Sequence, residues 1–294
     1  MKARIAVAVA AAALPLFASR SAHATPRWVD RLLTLPGPVA GTVDLGGAFA
    51  HSDADIPPCG LCSFNGTGVN VEGVLGIASR VDLGLRVGFR GFDDVNGINE
   101  GAVTNADAYG RFFDPLAYYG GGQGYYDVYG QGAVSNPEFK VRVRILDVRR
   151  VFELGVEARA IFPFYNATSF TQVVGVPMAA HLGRHVRIDF GAYSQFTFLN
   201  FQNRNRNVLA TLDLPASFWF QVHDRVFLGP MVNLRWYSQD VYAYGPANVD
   251  VGLGFGLGVS LARFLDLKTQ LYMPRVDDGV HEVGVSVGVG FYFY

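Results

Sequence analysis

The run EVGVSVGVGFYFY at residues 282–294 alternates without a break. Val283, Val285, Val287, Val289, Phe291 and Phe293 take every second position, while Glu282, Gly284, Ser286, Gly288 and Gly290 fill the others. Successive side chains of a strand point to opposite faces, so this is a strand with one greasy face and one small or polar face. The same period recurs along the chain. It marks twelve strand-like segments, at residues 39–50, 68–78, 83–92, 138–146, 151–162, 172–182, 187–198, 207–221, 226–237, 248–261, 265–273 and 282–294. Half of the 294 residues are hydrophobic and 35 are glycine, yet no uncharged apolar run after residue 24 is long enough for a membrane helix. Apolar residues spread through alternating segments of about 9 to 11 residues are what membrane-spanning strands require. The expected fold is all-β, an antiparallel up-and-down barrel.

The pattern Ser286-x-Gly288-x-x-Phe291-x-Phe293 resembles the C-terminal assembly signal of bacterial outer-membrane β-barrel proteins, the porin-like channels and transporters. One departure is that such chains usually end on the outward aromatic, whereas Tyr294 follows here. The resemblance implies the outer membrane of a Gram-negative bacterium as the location, and outer-membrane lipid and the barrel-assembly machinery as partners. Residues 1–24 agree with export. Lys2 and Arg4 precede an apolar run from Ile5 to Ala18, and Ala22-His23-Ala24 is a small-x-small cleavage site, so residues 1–24 read as a signal peptide. Residues 25–37 then form a short periplasmic segment in which Trp28, Val29, Leu32 and Leu33 make one amphipathic turn. It is too short to be a full plug and is expected at the periplasmic mouth. Residues 38–294 are the barrel.

Twelve strands put both termini on the same, periplasmic side. The connections then alternate in length. Residues 79–82, 147–150, 183–185 and 223–225 are short and charged, as periplasmic turns are; residues 51–67, 93–137 and the tract at 203–207 are longer, as extracellular loops are. Aromatics gather by strand end: Phe152, Phe218, Trp219, Phe220, Phe291 and Phe293 towards the turns, Phe162, Phe164, Phe196, Phe198, Trp236 and Tyr237 towards the loops. Two such belts match the two interfaces of a bilayer.

Parity also assigns the interior. In residues 138–146, Phe139, Val141, Val143 and Ile145 face out, leaving Glu138, Lys140, Arg142 and Arg144 inside. A turn at 147–150 would set Arg144 opposite Glu153, Lys140 opposite Glu157 and Glu138 opposite Arg159. On a lipid-facing position an Arg or Lys would cost about 2 to 4 kcal/mol at the midplane. The same parity sends Asp44, Glu72, Arg86, Arg90, Arg187, Asp189, Asp213, Arg235, Asp250, Asp266, Lys268 and Glu282 inward. Arg86, Arg90, Lys140, Arg142, Arg144, Glu153, Glu157, Asp250 and Glu282 are the candidate pore-lining residues. Basic residues on the third to fifth strands face acidic ones near the seam, an arrangement that would set a transverse field across a pore. Gly252, Gly254, Gly256, Gly258 and Ser260 either leave room for water or let larger side chains fill the interior.

The long loop at 93–137 carries Tyr109, Tyr118, Tyr119, Tyr125 and Tyr126. Their flat faces with a polar handle suit sugars or aromatic solutes, and a loop folded into the mouth would constrict it. Alternatively, residues 103–113 and 124–134 are two more strands, giving fourteen. Cys59 and Cys62, as Cys-Gly-Leu-Cys in an exported chain, read as a small loop disulfide; no metal site is expected. No His-x-Ser occurs, and His281 and Ser286 differ in parity, so no catalytic residues and no cofactor are expected. A formal charge of −1 without a basic stripe argues against nucleic acid. The leading expectation is a porin-like channel for passive uptake of small solutes, aromatic or sugar-like; the alternative is a non-transport barrel with a structural or surface-interaction role.

Overall fold

The computed structural model describes residues 27–56, 60–92, 137–148, 151–162, 170–199, 207–238, 249–274, 276 and 282–293. The strands are β1 (Gly41–Ile56), β2 (Gly60–Ala78), β3 (Val81–Phe92), β4 (Glu138–Val148), β5 (Phe152–Ile161), β6 (Phe170–Leu182), β7 (Val186–Leu199), β8 (Asn207–His223), β9 (Val226–Tyr237), β10 (Val249–Ala262), β11 (Leu265–Met273) and β12 (Glu282–Phe293). Each pairs antiparallel with its neighbours in chain order, and β12 returns to β1 to close the barrel. The seam runs from Gly41 opposite Phe293, through Val43 opposite Phe291, to Ser52 opposite Glu282. Closure leaves no edge along it, which is what lipid demands of backbone N–H and C=O groups. Because β3 pairs directly with β4, Val81 with Val143 through Arg86 with Glu138, the described wall closes at twelve strands. The barrel of the described residues therefore has twelve strands, and the candidate segments at 103–113 and 124–134 lie outside those residues.

The outer face is apolar from end to end: Leu85, Phe89, Val141, Phe255, Leu271 and Val287 are all exposed. Such a belt is stable only against hydrocarbon, so the barrel spans a membrane. Phe139, Phe162, Phe170 and Phe198 touch in sequence along the loop-side rim, with ring centroids 5.7, 5.5 and 6.0 Å apart. Two members of the expected belts belong inside. Trp219 and Tyr237 are buried, because Phe218, Phe220 and Trp236 take the outward positions on either side of them.

Two expectations about connections change. Residues 51–56 and 60–66 form no loop but the outer part of the β1–β2 hairpin, which pairs up to Ile56 opposite Gly60. Since β12 ends at Ser52 and β3 at Gly66, this hairpin overhangs both neighbours. Secondly, β4 and β5 pair two residues away from the expected register. Lys140 lies opposite Arg159, Arg142 opposite Glu157 and Arg144 opposite Gly155, after which the register shifts between Arg144 and Leu146. That bulge turns Leu146 and Val148 outward and Asp147 inward, absorbing a residue that a plain hairpin would have placed in the turn. Similar shifts fall at Gly76/Ala78, Gln221/His223 and Ser260/Ala262, all at the turn ends of their strands.

Candidate functional site

The turn half of the lumen is crossed by the chain itself. Residues 27–35, which the sequence suggested as a turn at the mouth, instead thread inside the barrel, with Val29, Arg31, Leu33 and Thr34 buried. They start as a short 3-10 turn, Trp28–Asp30, are extended at Arg31 and then bend at residues 33–34. An irregular strap inside a barrel must still satisfy its backbone, and the wall supplies the partners. Val29 N–H donates to Gln221 Oε1 (3.4 Å) and its carbonyl accepts from His181 Nδ1 (2.7 Å). Leu33 N–H donates to Glu153 Oε2 (3.1 Å), while Arg142 Nη1 donates to the Leu33 carbonyl (3.0 Å). Arg187 donates to the Arg31 carbonyl, and Leu35 N–H reaches both oxygens of Asp82 at 3.1 Å. The strap therefore bridges β8 at one side to β3 at the other.

Side chains fix it as firmly. Trp28 stacks on Phe227 at 4.7 Å and meets Trp219 edge-on at 5.6 Å. Burying one such indole contributes about 2 to 3 kcal/mol. Arg31 pairs with fully buried Asp266 at 2.7 Å, and its guanidinium lies 4.2 Å from the Tyr292 ring centroid and 4.9 Å from that of Trp28. Lys268, bonded to Asp44, faces the same Tyr292 ring at 5.3 Å. After the strap the chain turns into β1 through Val39, whose φ of 75° lies in the left-handed region, and joins the wall where Val39 N–H meets Gly76 O at 3.2 Å.

Of the expected charged residues, Arg86, Lys140, Arg142, Arg144, Glu153, Glu157 and Asp250 are among those described, on the inward faces of their strands, and their charges are paired locally. Arg142 pairs with Glu157 at 2.5 Å, Arg159 with Glu157 at 2.5 Å and Glu138 at 3.2 Å, Lys140 with Glu72 at 2.5 Å, and Arg144 with Glu153 at 3.0 Å. Two of the three expected pairs form, Arg144–Glu153 and Glu138–Arg159, as diagonal rather than facing contacts; Lys140 reaches Glu72 in place of Glu157. Arg86 donates to Asn70 Oδ1 at 3.2 Å. On the far wall Asp250 accepts from Tyr237 (2.7 Å) and Asp213 from Arg235 (2.6 and 3.1 Å). Acid and base lie on the same wall, so among the described residues the transverse field is largely cancelled at its source.

The loop half is different in kind. Gln195, Thr197, Thr171, Thr211, Asn233, Gln270 and Ser286 are buried, uncharged and inward. The Thr171 and Thr197 hydroxyls lie 3.1 Å apart, and Asn233 Nδ2 donates to Asp213 Oδ1 at 3.3 Å. The interior glycines hold rings rather than space. A β-carbon at Gly252 or Gly254 would collide with Tyr272, at Gly258 with Phe227 and at Gly175 with Tyr193.

Several expected residues lie outside the described ones: Tyr109, Tyr118, Tyr119, Tyr125 and Tyr126 in the long loop, Phe164, and Cys59. Arg90 stands opposite Gly68, Cys62 opposite Ala54 and Glu282 opposite Ser52, as strand positions whose side chains are not described. Gly288 lies opposite Gly46 at the seam, and the Phe293 ring covers Gly41. The sequence reading missed Arg31 as the strap's buried cation, and Asp82, His181, Gln221, Phe227 and Tyr292 as its lumenal partners. Arg31 carried a signal of its own, a lone cation in WVDRLL, where a mouth helix has no use for one.

No protein-family model matches the sequence, and no curated protein matches it. Solved structures do resemble the fold. An outer membrane channel from Pseudomonas putida F1 aligns with a TM-score of 0.55 at 13% identity, over 87% of this chain and 96% of that one. The NanC porin aligns with a TM-score of 0.51 at 10% identity, over 85% of this chain and 98% of that one. The likeness establishes the fold, that of outer-membrane β-barrel channels.

Proposed function

We propose that the protein is a porin-like channel in the outer membrane of a Gram-negative bacterium, passing small solutes passively, with its turn-side mouth held shut by residues 27–35. The observation that carries this is a polar lumen whose turn half is occupied by the chain's own strap. A barrel made only for anchorage needs no such lumen, and an apolar core would fill it at lower cost than buried ions. The two structures that resemble the fold are an outer membrane channel and a porin, which supports the same reading.

In this reading residues 1–24 are removed and the strap begins almost at the new N-terminus, with 25–37 on the periplasmic side. Solutes enter past the 93–137 loop, where the tyrosines select aromatic or sugar-like molecules. They then meet a wall of amides and hydroxyls set among ion pairs that neutralise one another, which favours neutral, hydrogen-bonding solutes over ions. Barrel-assembly machinery recognises Ser286, Gly288, Phe291 and Phe293. No residue has a catalytic role.

Liposome swelling tests the function. Vesicles carrying the protein without residues 27–35 should swell rapidly in small neutral sugars, and those carrying the intact protein slowly. The strap also favours a second reading, a permanently closed barrel with a surface role. That reading wins if the strap-deleted protein, correctly inserted, passes nothing.

A further inference from the structure

We propose that the turn-side rim of the barrel binds the phosphates of anionic phospholipid through a ring of arginines carried on its turns. The proposal needs only a barrel standing in a membrane and is independent of the channel reading above.

The ring begins in the sequence. Five connections lie on the turn side, β2–β3, β4–β5, β6–β7, β8–β9 and β10–β11, and they carry Arg80, Arg149 with Arg150, Arg184, Arg225 and Arg263. Asp224 is their one carboxylate. The long loop at the other end has the opposite bias, since residues 93–137 hold six carboxylates and a single arginine. A formal charge of −1 for the whole chain hides this asymmetry.

The structure separates these arginines from the ones inside. Arg142, Arg144, Arg159, Arg187 and Arg235 each hold a carboxylate in the lumen. On the rim, Arg80, Arg184, Arg225 and Arg263 are exposed, while Arg149 and Arg150 lie outside the described residues. Arg80, Arg184 and Arg225 make no side-chain hydrogen bond or ion pair among the described residues. The neighbouring carboxylates are turned to other cations: Asp147 to Arg144 at 3.5 Å, Asp30 to Arg27 at 2.8 Å and Asp224 to Arg27 at 4.0 Å. Arginines spaced around a rim with so few acids to answer them make a field of one sign.

Depth decides the partner. Ile77, Leu182, Val222 and Leu261 are exposed on the outer, lipid-facing wall, each within three residues of a rim arginine, and exposed Phe264 adjoins Arg263. At about 3.3 Å per residue, such short turns cannot carry their arginines clear of the bilayer. The stem of each can lie back along the apolar edge while its guanidinium reaches headgroup level. There the acceptor is phosphate, which the guanidinium fork grips with two parallel bonds, and clustered basic residues draw anionic lipid to a bilayer surface.

Quenching by brominated lipid tests this on the full mature chain in phosphatidylcholine vesicles containing phosphatidylglycerol. Phe264→Trp in a Trp236→Phe background reports the turn rim, and native Trp236, exposed at the loop end, reports the other. At the turn rim phosphatidylglycerol should be preferred several-fold over phosphatidylcholine, and at Trp236 the ratio should stay near unity. The turn-rim preference should fall towards unity in Arg225→Gln/Arg263→Gln and as salt rises to about 1 M, where charges are screened beyond about 3 Å. Inorganic phosphate at matched ionic strength should not reduce it. Should the double variant fail to insert, the comparison of the two rims and its salt dependence decide alone. Equal ratios at the two rims overturn the proposal, as does a turn-rim preference that survives both glutamines. A rim that ignores phosphatidylglycerol but retains soluble polyglutamate also overturns it, and assigns the ring to an acidic macromolecule. No conductance is read, so failure of the channel reading leaves the result intact.

Discussion

The two halves of one lumen solve the same problem differently. In the turn half, buried ions hold an irregular strap: Arg31 on Asp266, Glu153 under Leu33, Asp82 under Leu35. In the loop half the ion pairs, Glu138–Arg159 and Asp213–Arg235, close on themselves within the wall; hydroxyls and amides stand between them, and Tyr272 lies over Gly252 and Gly254. Charge costs desolvation and returns it only with good geometry, so it is placed where a segment must be held in one position. Neutral polar groups hold water or solute weakly, and they are found where nothing of the chain needs holding. The comparison teaches that the turn-half charges Asp82, Arg142, Glu153, Arg187 and Asp266 act as clamps for the strap.

The largest effect should come from removing the seam on which both halves depend. Deleting Phe291–Tyr294 takes away the pairing of Val43 with Phe291 and the ring that covers Gly41, and should abolish insertion. The check is heat-modifiable migration of membrane-inserted protein; normal migration would show that closure does not need these residues.

Next is a direct contrast of the halves. Glu153→Leu strips His181, Arg144 and Leu33 of their shared acceptor, and should destabilise the barrel by about 3 to 5 kcal/mol in urea titration. Thr197→Val in the loop half should cost about 1 kcal/mol or less. Comparable losses at the two sites would erase the distinction.

A smaller effect concerns register. In a double-mutant cycle, Arg142→Ala and Glu157→Ala should couple by about 1 to 3 kcal/mol, because the two lie opposite and bonded; Lys140→Ala and Glu157→Ala should couple far less. The reverse ranking would restore the plain hairpin register.

Strands and faces were legible in the sequence because a period of two is local: β12, β10 and β5 can be read from their own residues. Register was less so. Ile145 and Leu146 are both apolar, and nothing in LDVRR announces that a bulge rather than the turn takes up the extra residue. Trp219 looked like a belt aromatic because it sits in FWF, yet its parity already pointed it inside. The strap was illegible for a different reason. Its partners are remote, Arg31 on Asp266 across 235 residues and Val29 on Gln221 across 192, and no local pattern encodes such contacts. The cancelled field was missed likewise, since parity shows which charges share a lumen but not which ones touch.

The central claim is that residues 27–35 shut the turn half and can be lifted from it. Single-channel conductance in a planar bilayer tests it most directly, comparing the intact chain with one lacking those residues, before and after a synthetic peptide of residues 25–37 is added on the turn side. The account predicts low conductance for the intact chain, a several-fold larger steady conductance for the deletion, and a return to the low level with the peptide. Equal conductance with and without the strap would contradict it.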